Sequence, residues 1–175
     1  MEAKLTPYLS REDIAVAVAH LAAELDQDYR HCAPVLVGTL KGGFIFLADL
    51  VRQMKTPLHS IEFLQVASYG PHTVSSGRPR VVKGIPAEVI SGRHVIVIED
   101  IVDTGITTAF ILGYLRRLRP ASLEVCALLD KPARRQSPAG VKYVGFTVPD
   151  YFLVGYGLDL DQRYRELPEI YLLEE

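Results

Sequence analysis

Tryptophan is missing from this chain of 175 residues, and cysteine and methionine occur only twice each. The cysteines, Cys32 and Cys126, stand far apart and match no disulfide framework, metal-ligand spacing or redox pair. Both are flanked by sequence that reads as buried, so reduced core thiols in a cytoplasmic protein are expected. No uninterrupted apolar run approaches the ~20 residues needed to cross a bilayer, and residues 1–7 carry charges where a signal peptide would be apolar. A membrane role is therefore not expected. An excess of one charge is also missing: 19 Lys and Arg against 21 Asp and Glu leave a net charge of −2. That balance lacks the basic footprint of a protein built to bind nucleic acid. There is no internal repeat, linker or low-complexity segment, so residues 1–175 read as one domain.

What is present is ordinary globular composition, 49% apolar and 23% charged. Ser10, followed by Glu12 and Asp13, has the form of a helix N-cap with acids in the first turn. Ile14, Val18, Leu21, Ala22 and Leu25 then recur at helical spacing and predict a helix from 11 to about 29. Strands are expected at 35–37, 61–66, 94–98, 125–129, 141–144 and 152–154, with helices at 44–54 and 107–119, the second stopped by Pro120. Residues 69–80 are rich in Gly, Pro, Ser and Thr without periodicity and read as a long functional loop. Alternating strands and helices imply an α/β fold with a parallel sheet, whose ligands bind at the carboxyl ends of the strands.

The chemistry concentrates at Ile98-Glu99-Asp100-Ile101-Val102-Asp103-Thr104-Gly105-Ile106-Thr107-Thr108. A buried strand ends in two acids, a third follows, and a Thr-Gly-x-Thr turn opens a helix. Amides at a helix start, with hydroxyls from Thr104, Thr107 and Thr108, suit a phosphate monoester. Gly105 permits a tight turn and close approach of the backbone. Glu99 and Asp100 would repel a phosphate, so sugar hydroxyls and Mg²⁺ are their natural partners.

This run resembles the phosphoribosyl pyrophosphate (PRPP) signature of type I phosphoribosyltransferases, and residues 10–173 resemble the hypoxanthine-guanine branch of that family. Further motifs follow in the family's order. Leu40-Lys41-Gly42-Gly43 is similar to the pyrophosphate loop, whose Leu-Lys peptide is expected to be cis. Ser68-Tyr69-Gly70 is similar to the start of the mobile catalytic loop, and Leu129-Asp130-Lys131-Pro132 to the purine-reading segment. Residues 148–159 are similar to the base-stacking segment, and Arg163-Tyr164-Arg165 to the C-terminal signature.

The resemblance implies a twisted, mainly parallel sheet flanked by helices, with a small hood and a mobile loop. It also implies transfer of phosphoribose from PRPP to hypoxanthine or guanine, giving IMP or GMP and pyrophosphate with Mg²⁺, in a homodimer or homotetramer. Glu99, Asp100, Asp103, Thr104, Gly105, Ile106, Thr107 and Thr108 would bind PRPP, with Asp103 also the catalytic base. Lys41, Gly42 and Arg165 would hold pyrophosphate. Lys131, Phe152, Leu153 and Asp159 would bind the purine. Glu99, Asp100 and Asp159 would hold the metal. Ile106 offers no side-chain donor, so its contribution rests on its amide. Leu160 stands where an aromatic is common. Singly, Lys41 and Arg165 could be solvated charges, Phe152 core, and Lys131 with Arg134 and Arg135 a basic loop; the joint order favours the site. Transfer to xanthine or a pyrimidine, and a PRPP-sensing regulator that binds nucleic acid, are the alternatives.

Overall fold

A computed structural model describes residues 4–67 and 79–174. Helix α1 (Arg11–Asp28) begins where the sequence places it. The Ser10 hydroxyl accepts the Asp13 amide at 3.1 Å, and the Asp13 carboxylate accepts the Ser10 amide at 3.0 Å, so two otherwise unpaired donors are satisfied together. Its buried residues are the five of the helical stripe, Ile14, Val18, Leu21, Ala22 and Leu25.

Six strands form the main sheet: β2 (Val35–Leu40), β3 (Ser60–Ala67), β4 (Arg80–Lys83), β5 (His94–Val102), β6 (Ser122–Asp130) and β7 (Val141–Thr147). Their order is β4-β3-β2-β5-β6-β7, and every pairing is parallel except β3 with β4. Helices cover both faces, which is why the central strands are continuously apolar. Leu36, Ile96, Ile98, Cys126 and Leu128 pack toward α1 and α2 (Phe44–Gln53). The alternate positions Val35, Val37, Val95, Val97, Val125 and Ala127 pack with Ile90 of the short α3 (Ala87–Ile90) and with Ile111, Leu112 and Leu115 of α4 (Ile106–Arg116).

A second sheet, antiparallel, joins β1 (Lys4–Leu9), β9 (Ile170–Glu174) and β8 (Leu153–Val154) in the order β1-β9-β8. This is the expected hood, and it brings the two ends of the chain together. Among the described residues, no helix is long and apolar enough to cross a membrane.

Several expectations need correction. Helix α4 ends at Arg116, short of Pro120, because the chain turns at Arg119 with φ of 58°. Strand β5 runs on to Val102, so Glu99 and Asp100 lie within it. Cys126 is buried, but Cys32 is only part-buried at the core's edge; both are free. Arg80, read as the end of the long loop, begins β4. Ser68 and Tyr69, called as the start of that loop, lie outside the described residues.

Candidate active site

The sheet order reverses between β2 and β5, so the chain leaves these neighbours in opposite directions and a crevice opens between their carboxyl ends. The loop after β2 supplies Lys41 and Gly42. The loop after β5 supplies Asp103, Thr104 and Gly105.

Gly105 has φ of +78° and immediately precedes α4, so the first amides of the helix open onto the turn. A cavity of about 220 Å³ lies there, lined by Gly42, Glu99, Asp100, Asp103, Thr104, Gly105, Thr107 and Thr108. Segment 135–137 holds the turn from behind. The Arg135 Nε donates to the Asp103 carbonyl at 3.0 Å, and the Gln136 and Ser137 amides donate to the Thr104 carbonyl at 2.8 and 3.1 Å. With these carbonyls engaged, the turn can offer its amides and hydroxyls to an anion.

Glu99 is 6% exposed. Its Oε2 accepts the Thr39 hydroxyl at 2.6 Å, and its Oε1 lies 3.4 Å from the Thr108 hydroxyl. Burial pushes its carboxyl up to about 8, the Asp100 charge adds to that push, and the two hydroxyls oppose it. Desolvation also raises Asp100, against the Ile101 amide and the Arg165 charge. Gly42 is packed so closely that a Cβ there would fall on the Asp100 carboxylate. The Leu40–Lys41 peptide is cis, as the family resemblance implies.

A second cavity, about 250 Å³, is lined by Asp100, Ile101, Asp103, Lys131, Arg134, Phe152, Leu153, Leu158 and Asp159. Lys131 is 5% exposed, and its Nζ donates to the Tyr151 carbonyl at 2.6 Å. Phe152 keeps 51% of its surface exposed, so it is not core and its ring is free to stack on a planar ligand. Asp100 and Asp103 line both cavities and join them. One Asp103 oxygen, Oδ1, has no hydrogen-bond partner among the described residues.

Of the expected pyrophosphate holders, Gly42 lines the first cavity, while Lys41 and Arg165 line neither. Lys41 Nζ donates to Gln162 Oε1 at 2.9 Å. The Arg165 guanidinium meets Asp159 Oδ1 at 2.7 Å and donates to the Gly157 carbonyl at 2.5 Å. Ile106 is exposed, and its amide lies 3.4 Å from Thr104 Oγ1. A larger cavity of about 510 Å³, touching Arg11, Asp49, Arg52 and Tyr156, contains none of the acids or hydroxyls described above. The contacts of Thr39, Arg135 and Gln162 are absent from the sequence reading, which has Arg135 only as part of a basic loop.

The profile of the phosphoribosyl transferase domain family matches residues 6–161. The chain belongs to that family. Its relatives place it in the hypoxanthine-guanine branch. The phosphoribosyltransferase is 42% identical over 166 residues to the hypoxanthine-guanine phosphoribosyltransferase of Bacillus subtilis, covering 95% of this chain and 91% of that protein. It is 46% identical over 173 residues to the enzyme of the same name from Aquifex aeolicus, covering 98% and 96%. A crystal structure of a hypoxanthine-guanine phosphoribosyltransferase from Bacillus anthracis matches its fold with a TM-score of 0.90 at 36% identity, covering 99% of this chain and 100% of that one.

Proposed function

We propose that the chain acts in purine salvage, transferring phosphoribose from PRPP to hypoxanthine or guanine and releasing pyrophosphate. One observation carries the reading. A hydroxyl- and amide-lined socket and a cavity with a buried lysine and an open aromatic ring meet at two shared acids. A sugar phosphate and a planar oxopurine placed there would face each other across Asp100 and Asp103.

In this reading Thr104, Thr107 and Thr108, with the loop amides, hold the 5′-phosphate. Lys131 donates to the purine 6-oxo group in place of the Tyr151 carbonyl, Phe152 stacks on the base, and the Leu153 backbone reads its edge. N9 bonds to the ribose C1′ as the bond to pyrophosphate breaks. Asp103 takes the N7 proton, so positive charge does not build up on the base. Lys41 and Arg165 turn from Gln162 and Asp159 to the departing pyrophosphate.

Glu99 and Asp100 fit Mg²⁺. They are oxygen donors in a desolvated pocket, and Mg²⁺ needs only one or two carboxylates when substrate oxygens and water complete its shell. Asp159 is engaged by Arg165 and by the Gln162 amide at 2.8 Å, so its part would follow release of Arg165. The ion, once bound, would neutralise charge on the pyrophosphate. A cytoplasmic setting is supported by the two free thiols. Assembly as a homodimer or homotetramer is the family expectation, which sedimentation can test.

The deciding experiment measures pyrophosphate release from PRPP with a panel of bases. Turnover with hypoxanthine and guanine is expected. Turnover confined to xanthine or a pyrimidine, or none with any base, refutes the reading.

A further inference from the structure

Lys131 and Asp103 account for the two polar ends of the purine, but the structure shows them joined by a pair of residues with no role so far. The short turn Pro132–Arg134 carries Arg134 into the wall of the purine cavity. Its Nη1 lies 3.5 Å from Asp103 Oδ2, and its Nε lies 3.8 Å from Asp150 Oδ1. The same Asp150 oxygen is 3.7 Å from Lys131 Nζ. Charges therefore alternate from Lys131 through Asp150 and Arg134 to Asp103.

Building on the reading of Asp103 as the proton acceptor, we propose that Arg134 is a positioning residue that holds the Asp103 carboxylate where the two cavities meet and ties it, through Asp150, to Lys131. A guanidinium suits this task. It is planar, stays charged at any working pH, and presents separate N–H donors to two carboxylates at once. It can steady the proton acceptor without competing for the proton. Arg135 already fixes the Asp103 backbone through the carbonyl, so successive arginines hold the main chain and the side chain of one residue. Arg134 and Asp103 keep 48% and 35% of their side-chain surface exposed, so the pair adds little to stability and its effect is geometric.

The test is a double-mutant cycle on the full chain, read as kcat and KM with hypoxanthine and PRPP. Arg134→Met should lower kcat by about tenfold, leave the PRPP KM within about twofold, and leave the melting temperature unchanged. Arg134→Lys, which keeps the charge, should recover part of the loss. In an Asp103→Asn background, Arg134→Met should change kcat by less than about twofold, because the group it positions no longer takes a proton. Equal losses in both backgrounds, no loss from Arg134→Met, or an Asp103→Asn enzyme working at the parent rate would each overturn the role. A parent protein that releases no pyrophosphate with any oxopurine overturns the functional reading itself, an outcome visible before any variant is made.

Discussion

Glu99→Gln should make the ligand-free protein more stable at mildly alkaline pH while impairing its activity. Glu99 is buried, and the folded protein holds its proton more tightly than the unfolded chain, with the value moved from 4.5 to about 8. Stability from the protonated carboxyl is complete below about pH 4.5 and is lost as pH rises through about 8. At about 1.4 kcal/mol per tenfold change in proton affinity, the part lost between about pH 5 and about pH 8 is on the order of 3 kcal/mol. For a domain of this size that corresponds to a fall of roughly 6–12 °C in melting temperature. Asp100 is also raised and acts in the same direction, and its charge helps to raise Glu99, so the difference between parent and variant reports Glu99 together with its coupling to Asp100.

Glutamine keeps the shape and can pair with the Thr39 and Thr108 hydroxyls, which donate or accept as needed. The assay is calorimetric melting with chelator present, across about pH 5 to about pH 8. The parent's melting temperature should fall more steeply than the variant's, and the variant should be the more stable at about pH 8. Parallel curves would refute the claim that burial holds the proton on Glu99. In turnover assays the same variant should need more Mg²⁺ and more PRPP, since its amide is a poor metal ligand.

Asp103→Asn should reduce kcat by about 10²-fold or more with little change in PRPP affinity, because the phosphate socket is untouched; steady-state kinetics in PRPP check both. Lys131→Met should weaken the preference for 6-oxopurines over 6-aminopurines by ~1.5–3 kcal/mol, measured as the ratio of kcat/KM values, through loss of a charged donor. Gly42→Ala should raise the PRPP KM by about tenfold or more, since its Cβ would displace the Asp100 carboxylate from the cavity wall; an unchanged KM would show that Asp100 can move at no cost.

Much of this architecture could be read from the chain because each signal is local. Ser10 and Asp13 cap α1 with atoms three residues apart, and the apolar stripe from Ile14 to Leu25 follows from the helical repeat. The acids, hydroxyls and Gly105 are consecutive, so their convergence needed only a strand and a turn. The hood follows from the family resemblance and not from local pattern, because its pairing is long-range. Lys4–Leu9 carries no strong alternation, and only Ile170–Glu174, at the other end of the chain, supplies its partner. The end of α4 was misplaced because Pro120 marks where a helix cannot continue, while Arg119 had already turned the chain. The contacts of Arg135 and Gln162 escaped for a similar reason: their partners, the Asp103 carbonyl and Lys41, lie far away in sequence. Ordinary basic and amide side chains in polar loops announce no such contacts.

The strand order gives those distant contacts a common cause. Because β2 and β5 are neighbours whose chains leave in opposite directions, the crevice between them must be closed by segments from elsewhere, namely 131–137 and 157–165. Each closing segment brings cations toward the crevice, where they meet acids. Arg134 faces Asp103, Arg135 pairs with Asp130, and Arg165 pairs with Asp159. Glu99 has no cation partner among these pairs and is held by hydroxyls, which is why burial raises it so far. A buried acid without a counter-charge lowers stability, and a fold selected for stability alone would place an apolar or amide side chain there. The carboxyl at position 99 therefore agrees with the proposed function, in which a ligand brings positive charge or hydroxyl donors into the crevice between β2 and β5.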